Sequence, residues 1–295
     1  MQLVQIENNR IGDDSYGRAL CEHLERGDIL LLDPTPYAPS PDDGAFLRAQ
    51  KQTKSSAHKN IAYKPHLDKT SGLDERSPDD SARLHRIMQT YSRGALATLS
   101  QLFPAYAKTW KVDYASFRPL EEQGRDLPLN ARNDLMHVDA FPSRPTHGGR
   151  ILRAFTNIHP EKPRVWGTSD EFPVLAEKYA RDAGLLKVQG TGGLKGALGK
   201  LVGQAERSAY DQFMLDFHAY LKANADFQAN GVRDESPFPP GATWICFTDG
   251  IAHRATSGQF ALEQTCIVPF GALLCPDDAP VTVLERIAGR QLVAR

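Results

Sequence analysis

The sequence predicts a mainly β fold with flanking helices, an α+β chain built around an antiparallel sandwich or barrel. Two features lead there. From about Val112 onward, strand-like segments follow one another at 112–120, 133–140, 150–158, 164–167, 243–249 and 260–269, separated by Gly, Pro and Asn/Asp turns. Two amphipathic helices, one ahead of this run and one inside it, each present a single apolar stripe suited to packing.

Taken in order, the chain opens with a strand-like run, Ile29-Leu30-Leu31-Leu32, between Gly27-Asp28 and Asp33-Pro34. Regularity then fades from Pro34 to Thr70, where Lys51, Lys54, Lys59, Lys64 and Lys69 are concentrated. That stretch reads as a solvated loop or as a strap for anions. Ser77-Pro78-Asp79-Asp80 starts the first helix, because a Ser cap, a Pro at the first helical position and an acid three residues after the cap each satisfy or complement free amides. Leu84, Ile87, Met88, Tyr91, Ala95, Leu99 and Phe103 then recur at three- and four-residue steps and make this helix a packing buttress. The second helix carries Tyr210, Phe213, Met214, Phe217, Tyr220 and Leu221 on one face, inside an insertion at about 170–230 that also holds a Gly/Lys run at 190–203. The resulting expectation is one domain over 1–295: an N-terminal strand, basic loop and buttress in 1–110, a β core in 111–270 and a C-terminal extension in 271–295.

A chain of 295 residues with 41% apolar side chains can bury a sizeable core. With 35 basic against 36 acidic side chains it has no global field to attract nucleic acid, so an anionic partner must be met by a local patch. Cys21, Cys246, Cys266 and Cys275 form no C-x-x-C pair, which argues against a zinc ribbon or dithiol motif and for a reduced, cytoplasmic protein. No apolar run approaches the length of a membrane span, so any membrane contact is expected to be peripheral.

The chemistry-bearing motif is His-x-Asp/Glu. It occurs four times, so spacing alone selects nothing. His23/Glu25 lies in a helical stretch, where residues two apart point away from each other. His66/Asp68 follows Pro65 in the lysine-rich loop, and His159/Glu161 straddles Pro160 in a turn. His137/Asp139 lies in a strand-like stretch, Leu135 to Phe141, where side chains two apart share a face with Cα atoms about 6.6 Å apart. Two ligands can converge on one cation from there. A divalent iron site with two His and one carboxylate needs a third ligand on a neighbouring strand and leaves positions open for cosubstrate and dioxygen. His253 is the best candidate, where the strand-like Thr243-Trp244-Ile245-Cys246-Phe247 and the Asp249-Gly250 turn meet a loop. His147 is too near the first pair, and His218 belongs to a helical stripe.

The order His137-x-Asp139, then 114 residues to His253, resembles the double-stranded β-helix (jelly roll, cupin-like) of Fe(II)/2-oxoglutarate oxygenases. The sequences 137–146 (HVDAFPSRPT), 149–157 (GRILRAFTN) and 249–255 (DGIAHRA) are similar to those of the Kdo 3-hydroxylases, which act on 3-deoxy-D-manno-oct-2-ulosonic acid (Kdo) of lipid A. The resemblance extends over most of the chain from Ser116. It implies that one oxygen atom of O2 enters the C-3 carbon–hydrogen bond of Kdo while the other converts 2-oxoglutarate to succinate and CO2. It also implies a basic anchor for the second carboxylate of 2-oxoglutarate, best an Arg because its planar fork matches a carboxylate. Many relatives supply one ten or eleven residues after the distal His, but Glu263 and Gln264 stand there. Other branches place a base on a strand roughly fifteen residues after the first His. Arg153 is therefore the expected anchor and Arg150 its alternative on the opposite strand face, with Asn157 and Gln264 as further cosubstrate contacts. Arg118, Arg144, Lys51, Lys54, Lys59 and Lys64 are expected near the anionic substrate, Kdo-bearing lipid A. The Leu194–Val202 stretch is expected as a lid or as a peripheral contact with the cytoplasmic face of the inner membrane. Two other readings stay open: a non-catalytic sugar- or lipid-binding jelly roll with a structural metal, and a cupin-like metalloenzyme that does not use 2-oxoglutarate.

Overall fold

The computed structural model describes residues 1–51, 60–72, 77–190 and 206–294. Its strands are β1 (Leu3–Gln5), β2 (Ile29–Leu32), β3 (Ile61–Lys64), β4 (Lys69–Ser71), β5 (Lys111–Arg118), β6 (Arg150–Asn157), β7 (Arg164–Glu171), β8 (Asp234–Phe238), β9 (Thr243–Phe247), β10 (Ile251–Ser257) and β11 (Ala261–Val268). The helices are α1 (Asp14–Glu25), α2 (Pro41–Arg48), α3 (Pro78–Leu102), α4 (Pro104–Ala107), α5 (Phe172–Tyr179), α6 (Ala209–Ala223), α7 (Ala225–Asn230) and α8 (Pro280–Ala288). Among the described residues no helix is long and apolar enough to cross a membrane.

The strands form two sheets. Among the described residues the larger has the order β1-β2-β9-β6-β11-β5-β3-β4 and the smaller β10-β7-β8, with only the β1–β2 pair parallel. Residues 133–139 run beside β10: the His137 and His253 backbones exchange hydrogen bonds of 3.1 and 2.9 Å, and the Ala255 N–H donates to the Asn133 carbonyl. In chain order, β5, this extended segment, β6, β7, β8, β9, β10 and β11 then wind large, small, large, small, small, large, small, large. That winding is the expected double-stranded β-helix.

Several expectations change at the level of single elements. The 133–140 stretch is extended but forms a single bridge rather than a strand, because its ladder with β10 is confined to the His137–His253 pair. β7 runs past 167 to Glu171. β10 occupies what reads as turn and loop around His253, and β8 contains Pro237, which is tolerated because β8 lies at a sheet edge. The basic stretch 34–70 is not uniformly a loop, since it holds α2 and the β3–β4 hairpin. Lys54, Lys59, the Leu194–Val202 stretch and most of the Gly/Lys run lie outside the described residues.

The helix starts follow the sequence signals. Ser77 accepts a hydrogen bond from the Asp80 N–H, and Leu84, Ile87, Met88, Tyr91, Ala95 and Leu99 are buried along α3. This helix packs on the outer face of the large sheet, where the Tyr91 and Thr156 hydroxyls meet at 3.1 Å and the Ser92 hydroxyl donates to Gln264 Oε1 at 2.7 Å. Between the sheets lies an aromatic core. Trp244 stacks on Phe238 at 4.3 Å and on Phe155 at 5.3 Å, and Trp166 stands edge-on to Phe155 and Trp244. A further core joins α5, α6 and α8, with Phe172, Phe213, Phe217, Val281 and Leu284 packed together, so the segment after 271 is built into the fold. Gly258 lets the β10–β11 turn close on the start of β7, since a Cβ there would lie 2.8 Å from the Arg164 Cα.

Ser77→Ala removes one cap and is expected to lower stability by about 1 kcal/mol. Leu99→Ala, which opens a cavity between α3 and the sheet, is expected to cost about 2–5 kcal/mol; urea unfolding of the two variants checks the order.

Candidate active site

The mouth of the sandwich encloses a cavity lined by Arg118, Asn133, His137, Asp139, Arg153, Phe155, Arg164, Trp166, His253 and Ala255. Strand alternation explains most of the set: Arg153 and Phe155 share a face of β6, Arg164 and Trp166 a face of β7, and His253 and Ala255 a face of β10. The sequence-predicted triad comes together here. One nitrogen or oxygen of each of His137, Asp139 and His253 lies within 4.8 Å of the others, and all three residues are buried. Among the described residues no fourth His, Cys, Asp or Glu joins this group.

Each imidazole is held by the carbonyl two residues before it in the chain. His137 Nδ1–H donates to the Leu135 carbonyl at 2.6 Å and His253 Nδ1–H to the Ile251 carbonyl at 2.8 Å. Both Nε2 lone pairs are therefore free to face a cation, the arrangement that fixes the tautomer in metal sites. Trp166 stacks on the His253 ring at 4.6 Å and 15°. Asp139 is fixed through its N–H to the Thr248 carbonyl. Its Oδ2 is buried and accepts no well-aligned hydrogen bond, although Arg153 Nη1 lies 3.0 Å away. Two imidazole nitrogens and an under-used carboxylate oxygen fit a divalent metal.

Around this group sits a buried charge cluster. Arg118 donates to Glu263 through Nε and Nη2 and reaches Glu122, while Arg153 Nε lies 3.3 Å from Glu263 Oε1. Burial opposes ionisation of Glu263, but Arg153 and Arg118 hold its carboxyl below the usual range. Arg164 is less well compensated. Its Nη1 donates to the Gly258 carbonyl, its Nε has no acceptor, and Glu122 is 4.0 Å from Nη2. Burial pushes this guanidinium down to about 10. Trp166 Nε1–H is also buried without an acceptor. Unpartnered buried donors beside a cation site fit an anionic ligand.

The other predicted residues are distributed differently. Arg118 belongs to the cavity wall, not to an outer substrate surface. Arg150 starts β6 on the other side, pairs with Asp249 at 2.8 Å and lines a separate cavity near Gly250 and the end of α1. Asn157 has the face expected of it but lies at the strand end, where its amide donates to the Lys162 and Phe238 carbonyls. Gln264 points to the outer face, bonded to Ser92 and the Asp113 carbonyl. Neither lines the cavity, because one is too far along the strand and the other has the wrong parity. Arg144 pairs with Asp113 and lies over the Tyr114 and Phe141 rings, 4.3 Å from each centroid, and Lys64 approaches the same Tyr114 ring at 5.2 Å. Phe141 also carries Arg153 at 5.2 Å, so this outer aromatic and basic group adjoins the site. Lys51 is exposed and away from the cavity. Asn133, Arg164, Trp166 and Ala255 are the cavity residues that sequence reading missed. For Arg164 and Trp166, shared parity in the strand at 164–167 was the available signal.

Burial holds the His137, His218 and His253 imidazoles below their ordinary 6.5, so they stay neutral in the folded, metal-free protein. Unfolding lets them bind protons once the pH falls below that value. Stability of the metal-free protein is thus complete above about pH 6.5 and declines below it, by up to about 1.4 kcal/mol per pH unit for each histidine that takes up a proton. Urea midpoints measured across this range check the sign, and a flat profile would contradict it.

Comparison with known proteins agrees with the motif resemblance. A family model described as 3-deoxy-D-manno-oct-2-ulosonic acid (Kdo) hydroxylase matches residues 7–291. No curated protein matches the chain. Among solved structures, the Kdo hydroxylase KdoO, a non-heme Fe(II) α-ketoglutarate (2-oxoglutarate) dependent dioxygenase, in complex with α-ketoglutarate and Fe(III), superposes with a TM-score of 0.86 at 31% identity, covering 99% of this chain and 98% of that one. A KdoO structure with cobalt(II) gives 0.88 at 32% identity, covering 99% and 97%. One with succinate and Fe(III) gives 0.86 at 32%, again covering 99% and 97%. With its fold, its buried His/Asp/His group and a family match over nearly its whole length, the chain belongs to the Kdo hydroxylase family.

Proposed function

We propose that this chain hydroxylates C-3 of a Kdo residue on lipid A, with Fe(II) held by His137, Asp139 and His253 and with 2-oxoglutarate as cosubstrate. The observation that carries the reading is the convergence of three buried ligand groups in one cavity with unpartnered donors on Arg164 and Trp166. Such an iron centre, when loaded, uses O2 to oxidise 2-oxoglutarate to succinate and CO2 and to place one oxygen atom in a carbon–hydrogen bond of the substrate.

The protein's own part is binding and orientation. Leu135 and Ile251 carbonyls aim the two imidazoles, and Trp166 limits rotation of the His253 ring. For the far carboxylate of 2-oxoglutarate, Arg118 is already saturated by Glu263 and Glu122, whereas Arg153 and Arg164 line the cavity and each has a buried Nε without a well-aligned acceptor. Arg164 therefore joins Arg153 as an anchor. Arg144 and Lys64, standing over Tyr114 at the outer group, are the residues to meet the substrate's carboxylate or phosphates. Their position near the exposed turn at Leu67 suits a substrate presented at a membrane surface, which supports a peripheral location at the cytoplasmic face of the inner membrane.

His137→Ala and Asp139→Ala are expected to abolish O2-dependent succinate formation with Kdo-bearing lipid A while the far-ultraviolet spectrum stays that of the parent. Turnover at parental rates by either variant would remove the metal assignment. Arg164→Ala is expected to raise the KM for 2-oxoglutarate by about 10- to 100-fold, the loss of a charge-assisted hydrogen bond worth about 1.5–3 kcal/mol. If Arg153→Ala raises it and Arg164→Ala does not, the anchor is Arg153 alone.

A further inference from the structure

The extended segment that carries His137 and Asp139 has two edges, and β10 takes only one of them. Buried Met136 and Val138 turn their peptide groups the other way, where a neighbouring strand would ordinarily receive them. Side chains receive them instead. The Met136 N–H donates to Gln228 Oε1 at 2.8 Å, and Gln228 Nε2 donates back to the Met136 carbonyl at 2.9 Å. His218 Nδ1–H donates to the Val138 carbonyl at 2.7 Å, and its ring stands edge-on to that of His137 at 4.9 Å. Farther out, Lys222 Nζ donates to the Asn130 carbonyl, and Asp211 Oδ1 accepts from the Thr146 and His147 N–H groups. All these side chains come from the helical insertion, from α6 and the α7 that follows it.

A glutamine amide offers one acceptor and donors side by side, as a strand peptide does. We infer that His218 and Gln228 are positioning residues for the metal centre, acting as a substitute strand that fixes the peptides just ahead of His137 and of Asp139 and so the directions of both side chains. Neither touches the metal position. His218 has its Nδ1 committed to Val138, and Gln228 faces the backbone of Met136 and Leu221. The inference rests on His137, Asp139 and His253 being the metal ligands, and extends that reading from the ligands to the helices that hold them.

The test uses the full-length, metal-free protein titrated with Co(II) and followed by visible absorption. His218→Phe and Gln228→Met are expected to weaken Co(II) binding about 10- to 100-fold, and His218→Asn, which can restore a donor to Val138, to recover most of it. Backbone hydrogen exchange without metal gives a second reading: residues 136–139 should lose protection while β6 and β11 keep theirs. Variants that bind Co(II) within threefold of the parent overturn the proposal, and so does a uniform loss of protection across both sheets, which marks a general structural defect. His137→Ala serves as the control. If it binds Co(II) as well as the parent, the ligand assignment fails, and the exchange data still decide whether the helices hold the segment.

Discussion

Two reciprocal backbone hydrogen bonds, between His137 and His253, are the contact on which the rest of the site depends. Residues 116 positions apart in the chain cannot share a cation unless their backbones are in register, and this pair sets that register to a single residue. Once it is made, Asp139 falls beside Thr248 and its carboxylate enters the cavity. The double winding of the sandwich is what delivers the two segments as neighbours. Slippage by one residue would send His137 to the helical core and bring Val138 to the metal position.

The cavity is polar beyond what a metal alone requires. Arg118, Arg153 and Arg164 face Glu122, Glu263 and Asp139 in a buried cluster, where each ion is tolerated only because its partner is present. A divalent metal and a dicarboxylate carry opposite charges of equal size. Their joint binding leaves the total charge of the cluster unchanged, whereas either one alone leaves an excess in a medium of low polarisability. The incomplete compensation of Arg164 and the Asp139 Oδ2, which Arg153 approaches without a well-aligned hydrogen bond, are the two ends of that arrangement.

Much of this was legible in the sequence where local rules dominate. The α3 start at Ser77-Pro78, its buried stripe and the alternating strands β5, β6, β9 and β11 follow from capping and periodicity. Ser40-Pro41-Asp42-Asp43 carries the same cap signature as Ser77 and does begin a helix, α2, hidden in a stretch whose composition suggested a loop. β10 was illegible because Ile251–Ser257 mixes His, Arg and small residues, which gain strand form only from pairing with β7 and the His137 segment. Glu263 was the most informative departure. A position where many relatives place a base holds an acid that does face the cavity, bonded to Arg118 and 3.3 Å from Arg153. Arginines stand instead on the neighbouring strands, Arg118 on β5 and Arg153 on β6. Parity indicated Arg153, but Arg164 required knowledge of which strands face each other.

The two anchors proposed for the cosubstrate stand on different layers, Arg153 on the large sheet and Arg164 on the small one. A carboxylate held by both would tie the sandwich together where the two layers otherwise meet mainly through aromatic packing. The grip on the cosubstrate would therefore depend on how the two layers pack, so that the aromatic core between them is felt at a carboxylate it does not touch.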